Sequence, residues 1–415
     1  MGMLERIEIE NLGSIQKASV SLSPLTVLLG SNASGKTTVM RGIELFAMLR
    51  NLTLQEVTYA GYPLTGAHWP RIIHEGDVAK RLIFRGFVQP NPTEPDFELE
   101  LGINWEQLRS SIVEKADTEQ QAEPEILHEK LRGMLIIEDS PHSLEVRPPS
   151  KSPLGVLSQL GVLSRPAHSS IARVLSRLTQ LPPMREDQAG LREYLESFGH
   201  ARYFRPDSSA MLTQIFEGKV GPDGSGFVGA LATLQNRESE RFEAIERNLK
   251  ELFPHIRRIR FDIGAEGKIQ HLIFETQRST RPVPAKLEAD GVLTTLFLLW
   301  AGATTPPHGT LLIDDPEAGL HPHLMGKRVE FLRSLATGEF TGHPLRVVVA
   351  TQSVDFVRWV QPSEIRVVEY SEETGTLVHP IPETETLRTL VDKFQANAGD
   401  LWYSGALGGV PGLGA

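Results

Sequence analysis

The chain has 415 residues, 40% apolar and 23% charged, which describes a globular protein large enough for one elaborated domain or two. It has no cysteine, which excludes disulfides and cysteine-held zinc or iron–sulfur clusters, and its net charge of −10 excludes a global attraction to nucleic acid while leaving local patches open. No apolar run approaches membrane-spanning length and no secretory leader is recognisable, so the expected location is cytoplasmic, with no membrane partner.

The first informative element is the apolar run Leu25 to Leu29, suited to a buried strand. It leads into Gly30, Ser31, Asn32, Ala33, Ser34, Gly35, Lys36, Thr37 and Thr38, two glycines spaced for a phosphate cradle and followed by lysine and hydroxyls. Beyond them Val39, Ile43, Phe46 and Leu49 recur at helical spacing. Strand, glycine loop and helix in that order put backbone amides and a helix N-terminus around an anion. The pattern implies nucleoside triphosphate binding, with Lys36 on the terminal phosphates and the Thr37 hydroxyl on Mg2+.

Strand-like runs follow at Leu82 to Val88, Phe97 to Ile103 and Met134 to Ile137. Residues 106–145 are acid-rich, with Glu114, Asp117, Glu119, Glu123, Glu125 and Glu129 expected on a surface helix and turn. Residues 165–205 are locally basic, from Arg165 to Arg202 and Arg205; acidic residues interrupt them, which favours a solvated helical face over a nucleic-acid surface. Helices are expected from about Leu154 to Phe253. Within them Gly221 to Gly226 is a glycine-rich turn lacking a phosphate-binding lysine, and Phe242, Ile245, Leu249 and Leu252 form a helical face that Pro254 ends. Ile256 to Ile263 and Ile269 to Phe274 are expected to pair as a hairpin. No segment sustains heptads, so no long coiled coil is expected.

Near the C-terminal third, Thr310 to Ile313 is an apolar strand that ends in Asp314 and Asp315, followed by Pro316, Glu317, Ala318, Gly319, Leu320, His321 and Pro322. A strand ending in carboxylates is the expected partner of a P-loop: Asp314 to hold magnesium through water, Asp315 to orient the attacking water, Glu317 in reserve for that second role. His321 and His323 as metal ligands lack a third partner and are better read as a helix-start feature. The chain has no Asn-Lys-x-Asp element for guanine, which favours ATP.

These residues resemble the ABC-type ATPases of the RecF, SMC and OLD group, specifically the stand-alone AAA15/AAA21 (OLD-like) family, and the resemblance covers most of the chain. Leu4 to Ile15 looks like the two strands that precede the P-loop there, and the carboxylate strand with Pro-Glu-Ala-Gly-Leu-His-Pro is its more specific mark. The resemblance implies an α/β fold, an ABC-type P-loop NTPase head with an N-terminal β-lobe and a mainly helical insertion. On this reading residues 1–105 carry the P-loop part of the head, 106–285 the insertion, and 286–415 the remainder of the head. Ala289, Asp290 and Gly291 match the signature segment that completes a partner's nucleotide site, with Ala289 where serine is usual. Gly319, Leu320 and His321 match the loop that crosses the dimer interface. Gln352, after the strand Val347 to Thr351, stands where a histidine often stands, and Asp315 where glutamate is common; both departures imply slow turnover.

What the resemblance implies is an ATP- and Mg2+-dependent ATPase that forms a head-to-tail homodimer or higher oligomer. It would serve as the motor or sensor subunit of phage-defence or DNA-repair machinery, with a separately encoded nuclease or effector and DNA as a candidate partner. OLD nucleases add a Toprim domain after the head, and none is expected here. The alternative is a slow nucleotide-dependent switch or scaffold that holds a partner protein. If Gly291 lies at such a dimer contact, a bulky residue there is expected to weaken association and spare the monomer.

Overall fold

The computed structural model describes residues 4–49, 82–87, 97–103, 126–132, 136–140, 143–147, 200–212, 220–263, 269–277, 279–381 and 398–403. Two units emerge, one of residues 1–23, 30–201 and 366–380, the other of residues 24–29, 202–365 and 381–415.

The first unit is built on antiparallel pairing. β1 (Arg6–Leu12) and β2 (Ile15–Ser21) form a hairpin around Gly13, whose φ of 54° suits a residue without a side chain. Ile7, Ile9, Ile15 and Val20 are buried while intervening residues meet solvent, the alternation of half-buried strands. β4 (Leu82–Phe87) pairs with β1, and β5 (Phe97–Ile103), β6 (Ile126–Arg132), β7 (Ile136–Ser140) and β8 (Ser143–Arg147) follow in turn. On the other side β2 pairs with β16 (Gly375–Pro380), which pairs with β15 (Ile365–Ser371). This is the expected β-lobe. Helix α1 (Lys36–Leu49) lies on it: Gly42 lets the helix approach Ile9 and Leu12, and the Phe46 and Phe84 rings sit 5.7 Å apart.

The second unit holds a parallel set. β3 (Leu25–Leu29) pairs with β14 (Arg346–Thr351), which pairs with β13 (Thr310–Asp314), and β9 (Ala201–Phe204) lies beside β13. Nearly every residue of β3, β13 and β14 is buried, which is why they read as unbroken apolar runs. Helices α2 (Phe227–Arg237), α3 (Ser239–Leu252), α4 (Asp290–Thr304) and α5 (Met325–Thr337) complete it. The expected hairpin is present as β10 (Ile256–Ile263) and β11 (Ile269–Thr276), with β12 (Val283–Pro284) added. Among the described residues the longest helix is the 15-residue α4, far short of a coiled coil.

Two expectations need correction or fall outside these residues. Glu129 lies in β6, where it pairs with Leu101 of β5 and Asp139 of β7, not on a surface helix. Residues 154–199, expected to be helical and basic, lie outside the described residues, as do Glu114 to Glu125.

Candidate nucleotide-binding and catalytic site

In the first unit the glycine-rich loop leaves the end of β3 and enters α1 at Lys36. Ala33 and Gly35 have φ of 63° and 101°, left-handed turns that curl the loop in the manner of an anion-binding nest. Glycine is required at two points. A side chain at Gly30 would overlap the Val368 carbonyl, and one at Gly35 would run into the Thr376 hydroxyl. Ala33 has no such freedom, so its left-handed turn stores roughly 1 kcal/mol of strain. Lys36 is only 9% exposed, and its ammonium donates to the Gly30 carbonyl at 2.9 Å and the Ser31 carbonyl at 2.8 Å. A buried ammonium requires partners of this kind, and the same fork fixes it over the loop. Thr37, at the first turn of α1, is an exposed residue.

Sequence reading missed what holds the loop from below. Thr376 Oγ1 donates to the Ser34 carbonyl at 3.1 Å and lies 2.7 Å from Ser14 Oγ, and its N–H donates to the Ser14 carbonyl at 2.8 Å. With the Thr376 proton spent on Ser34, the Ser14 hydroxyl donates to Thr376. Both residues sit at hairpin ends distant in sequence, so no local pattern marks them.

In the second unit β13 delivers its carboxylates in different settings. Asp314 is 4% exposed and accepts from the Tyr203 hydroxyl at 2.9 Å. Asp315 adopts φ of 52°, a left-handed turn that aspartate tolerates, and its N–H is tied to the Ala350 carbonyl at 3.0 Å. That turn ends the strand and swings the Asp315 side chain out to Arg205 Nη2, 3.0 Å away. Arg205 was expected in a solvated basic face; it is instead the ion partner of a candidate catalytic carboxylate.

Glu317 is the third acid, part-buried beside the end of β14. Thr351 Oγ1 donates to its Oε1 at 2.6 Å, while Oε2 is shielded from solvent with no hydrogen-bond partner. Burial pushes its carboxyl up to about 7; the Thr351 bond opposes this, and Asp315 and Asp314 add a smaller push upward. The folded chain therefore keeps a proton there that the unfolded chain loses near pH 4.5. Its contribution to stability is complete below that pH and is lost as pH rises through about 7. For the nucleotide-free chain we expect urea unfolding to report up to about 3 kcal/mol of lost stability between pH 4.5 and 8 from this group. Glu317→Gln should flatten that slope, and an unchanged slope in the variant would assign the pH dependence elsewhere.

The signature segment and the loop after β13 are locked together within one chain. Ala289 is the exposed N-cap residue of α4 and makes no side-chain cap bond. A Cβ at Gly291 would come 2.6 Å from the Gly319 carbonyl, and Gly319 itself has φ of 71°. Thr294 Oγ1 reaches the Ala318 carbonyl at 3.2 Å. Arg328, wholly buried on α5, donates to the Pro316 carbonyl at 2.9 Å and Thr295 Oγ1 at 2.6 Å; burial lowers its pKa to about 10, so it stays charged at neutral pH. The expectation that a bulky residue at Gly291 would spare the monomer is therefore wrong: its side chain would strike backbone of the same chain. Asp290 and Gln352 are exposed, and His321 caps the 3-10 turn Pro322–Leu324 ahead of α5, as a helix-start feature should. Among the described residues no group of three or more metal-binding side chains of the His/Cys/Asp/Glu kind occurs.

A glycine loop with a buried lysine at the start of a helix, and a parallel sheet ending in paired carboxylates, define the class: a P-loop, ATPase-type domain. The family model described as "AAA domain, putative AbiEii toxin, Type IV TA system" (AAA_21) matches residues 25–358, and the chain belongs to this family. The AAA15/AAA21 resemblance is thereby borne out. No curated protein matches the sequence. Among solved structures, the SMC head domain from Thermotoga maritima is 12% identical at a TM-score of 0.42, covering 92% of this chain and 99% of that one. The Smc head with an extended coiled coil, bound to the C-terminal domain of ScpA derived from Pyrococcus furiosus, is 14% identical at 0.42, covering 95% and 100%. An SmcHead bound to the C-winged helix domain of ScpA is 12% identical at 0.45, covering 91% and 97%. At these scores the likenesses add nothing to what family membership says.

Proposed function

We propose that the chain binds ATP with magnesium at Gly30 to Thr38 and hydrolyses it slowly. The observation that carries the reading is the Lys36 ammonium, buried and held over a loop whose left-handed turns shape an anion cradle. Taken separately, each unit offers an oxygen donor of the kind a hydrated magnesium ion takes: the Thr37 hydroxyl in the first, and in the second the Asp314 carboxylate, oriented by Tyr203. Bound with the nucleotide, magnesium supplies charge neutralisation at the phosphates. Lys36 meets the terminal phosphates, Gly30 to Gly35 offer backbone amides, and Asp315 or Glu317 orients and deprotonates water, with Gln352 as a neutral hydrogen-bonding group beside them. Magnesium-dependent release of phosphate from ATP tests the reading.

The switch or scaffold alternative is favoured by one contact. Arg205 sits 3.0 Å from one oxygen of Asp315 and competes with water for that carboxylate, which suits slow turnover. In either case we place the chain as a motor or sensor subunit beside a separate effector or nuclease, with DNA as a candidate partner. The toxin and TA-system wording of the family description supports a defence role over DNA repair.

We also propose that two copies associate head to tail, with Ala289, Asp290 and Gly291 completing the partner's nucleotide site. Ala289 is the clean position to test, being exposed with extended backbone that any residue adopts. Ala289→Glu puts a carboxylate at a helix N-terminus, which is mildly stabilising for the monomer, and opposes a nucleotide phosphate. The expected result is ATP-dependent association weakened at least about tenfold with an unchanged melting temperature. Light scattering that gives one oligomer for wild type and variant, with and without ATP, would contradict a nucleotide-driven dimer.

A further inference from the structure

β9 lies beside β13, and its residues alternate in purpose. Phe204 turns into the core, 5.0 Å from the Phe297 ring and 6.4 Å from Trp300. Tyr203 is buried, and its hydroxyl meets Asp314. Extended backbone places neighbours on opposite faces, so seating Phe204 aims Tyr203. The chain just beyond is also pinned: the Arg205 N–H donates to the Pro222 carbonyl at 2.8 Å, and the Asp207 N–H to the Asp223 carbonyl at 2.9 Å. Tyr203 therefore reaches Asp314 from a strand anchored on both sides, and its phenol has few alternative positions.

From this we infer that Tyr203 is a positioning residue for Asp314, acting through the carboxylate on the cation that accompanies the nucleotide. The inference rests on the reading of Asp314 as the magnesium-holding carboxylate. A carboxylate on a single rotatable stem can turn away from a cation, and a hydrogen bond to one oxygen fixes the orientation it presents. Outer partners of this kind typically change metal affinity or activity by about 10- to 100-fold. Nothing in the sequence marks Tyr203, which stands 111 positions before Asp314 in a run read only for its arginines.

The test is equilibrium binding of N-methylanthraniloyl-ATP against magnesium concentration, for wild type, Tyr203→Phe, Asp314→Asn and the double variant. Phenylalanine keeps the buried ring and removes only the hydroxyl. In Tyr203→Phe the magnesium midpoint should rise about tenfold, while affinity for the analogue in EDTA stays at the wild-type value. Adding Tyr203→Phe to Asp314→Asn should change nothing further, because the hydroxyl acts through that carboxylate. Coincident magnesium curves for wild type and Tyr203→Phe, beside a shifted curve for Asp314→Asn, would overturn the inference alone. An equal loss with and without magnesium would also overturn it, by assigning Tyr203 a purely structural role. A wild-type curve that ignores magnesium, matched by Asp314→Asn, would overturn both the inference and the magnesium reading beneath it.

Discussion

Lys36→Ala is expected to lower ATP affinity by at least about 100-fold, to the point where calorimetry at micromolar protein detects no binding. Charge-assisted hydrogen bonds contribute about 1.5–3 kcal/mol each, and the ammonium is expected to meet more than one phosphate oxygen. A factor of ten in affinity corresponds to about 1.4 kcal/mol, so the loss of two such bonds accounts for the effect. The variant also loses two internal bonds, from Lys36 to the Gly30 and Ser31 carbonyls. The remaining packing of α1 against β1, through Gly42 on Ile9 and Leu12 and Phe46 on Phe84, does not depend on the lysine. Circular dichroism should therefore report an intact fold. Wild-type nucleotide affinity in that folded variant would remove the loop from the account.

The second large effect separates the two candidate bases. Either Asp315→Asn or Glu317→Gln should cut the rate of ATP hydrolysis by about 100-fold or more while leaving ATP binding near the wild-type value, since a general base typically contributes 10²–10⁴. The pH profile says which. Glu317 keeps its proton up to about pH 7, so as the base it works only once deprotonated, and kcat should climb through that region. Asp315 is part-exposed and paired with Arg205. A wild-type profile climbing near pH 7, and a Glu317→Gln enzyme that is slow and flat, would assign the base to Glu317. A crippled Asp315→Asn beside a Glu317→Gln enzyme of near wild-type rate would assign it to Asp315.

The parts of this architecture that could be read from sequence are those with local cause. β3, β13 and β14 are buried on both faces, so their apolar runs betray them, and the P-loop is marked by its own glycine spacing, with Gly35 at φ of 101°. Pro254 ends α3 by its own chemistry, one residue past the C-cap Phe253. What stayed hidden depends on approach between distant segments. Thr376 beneath Ser34, Tyr203 on Asp314 and Thr351 on Glu317 each join residues whose neighbours give no hint of the pairing. Arg328 offered a faint signal, a charge among Met325, Val329 and Leu332 on the buried face of α5, where a cation must find partners. A bulky residue at Gly291 looked harmless to the monomer for the same reason: the Gly319 carbonyl that already requires this glycine is distant in sequence.

On the function proposed, this chain turns over ATP with its own loop and carboxylates. The most direct test is phosphate release from ATP by the purified chain, with and without magnesium, in parallel with an Asp314→Asn preparation made the same way. Slow, continuous release is expected, requiring magnesium and falling to background in Asp314→Asn. ATP left intact by a folded wild-type chain, or release that persists undiminished in Asp314→Asn, would contradict the proposed function.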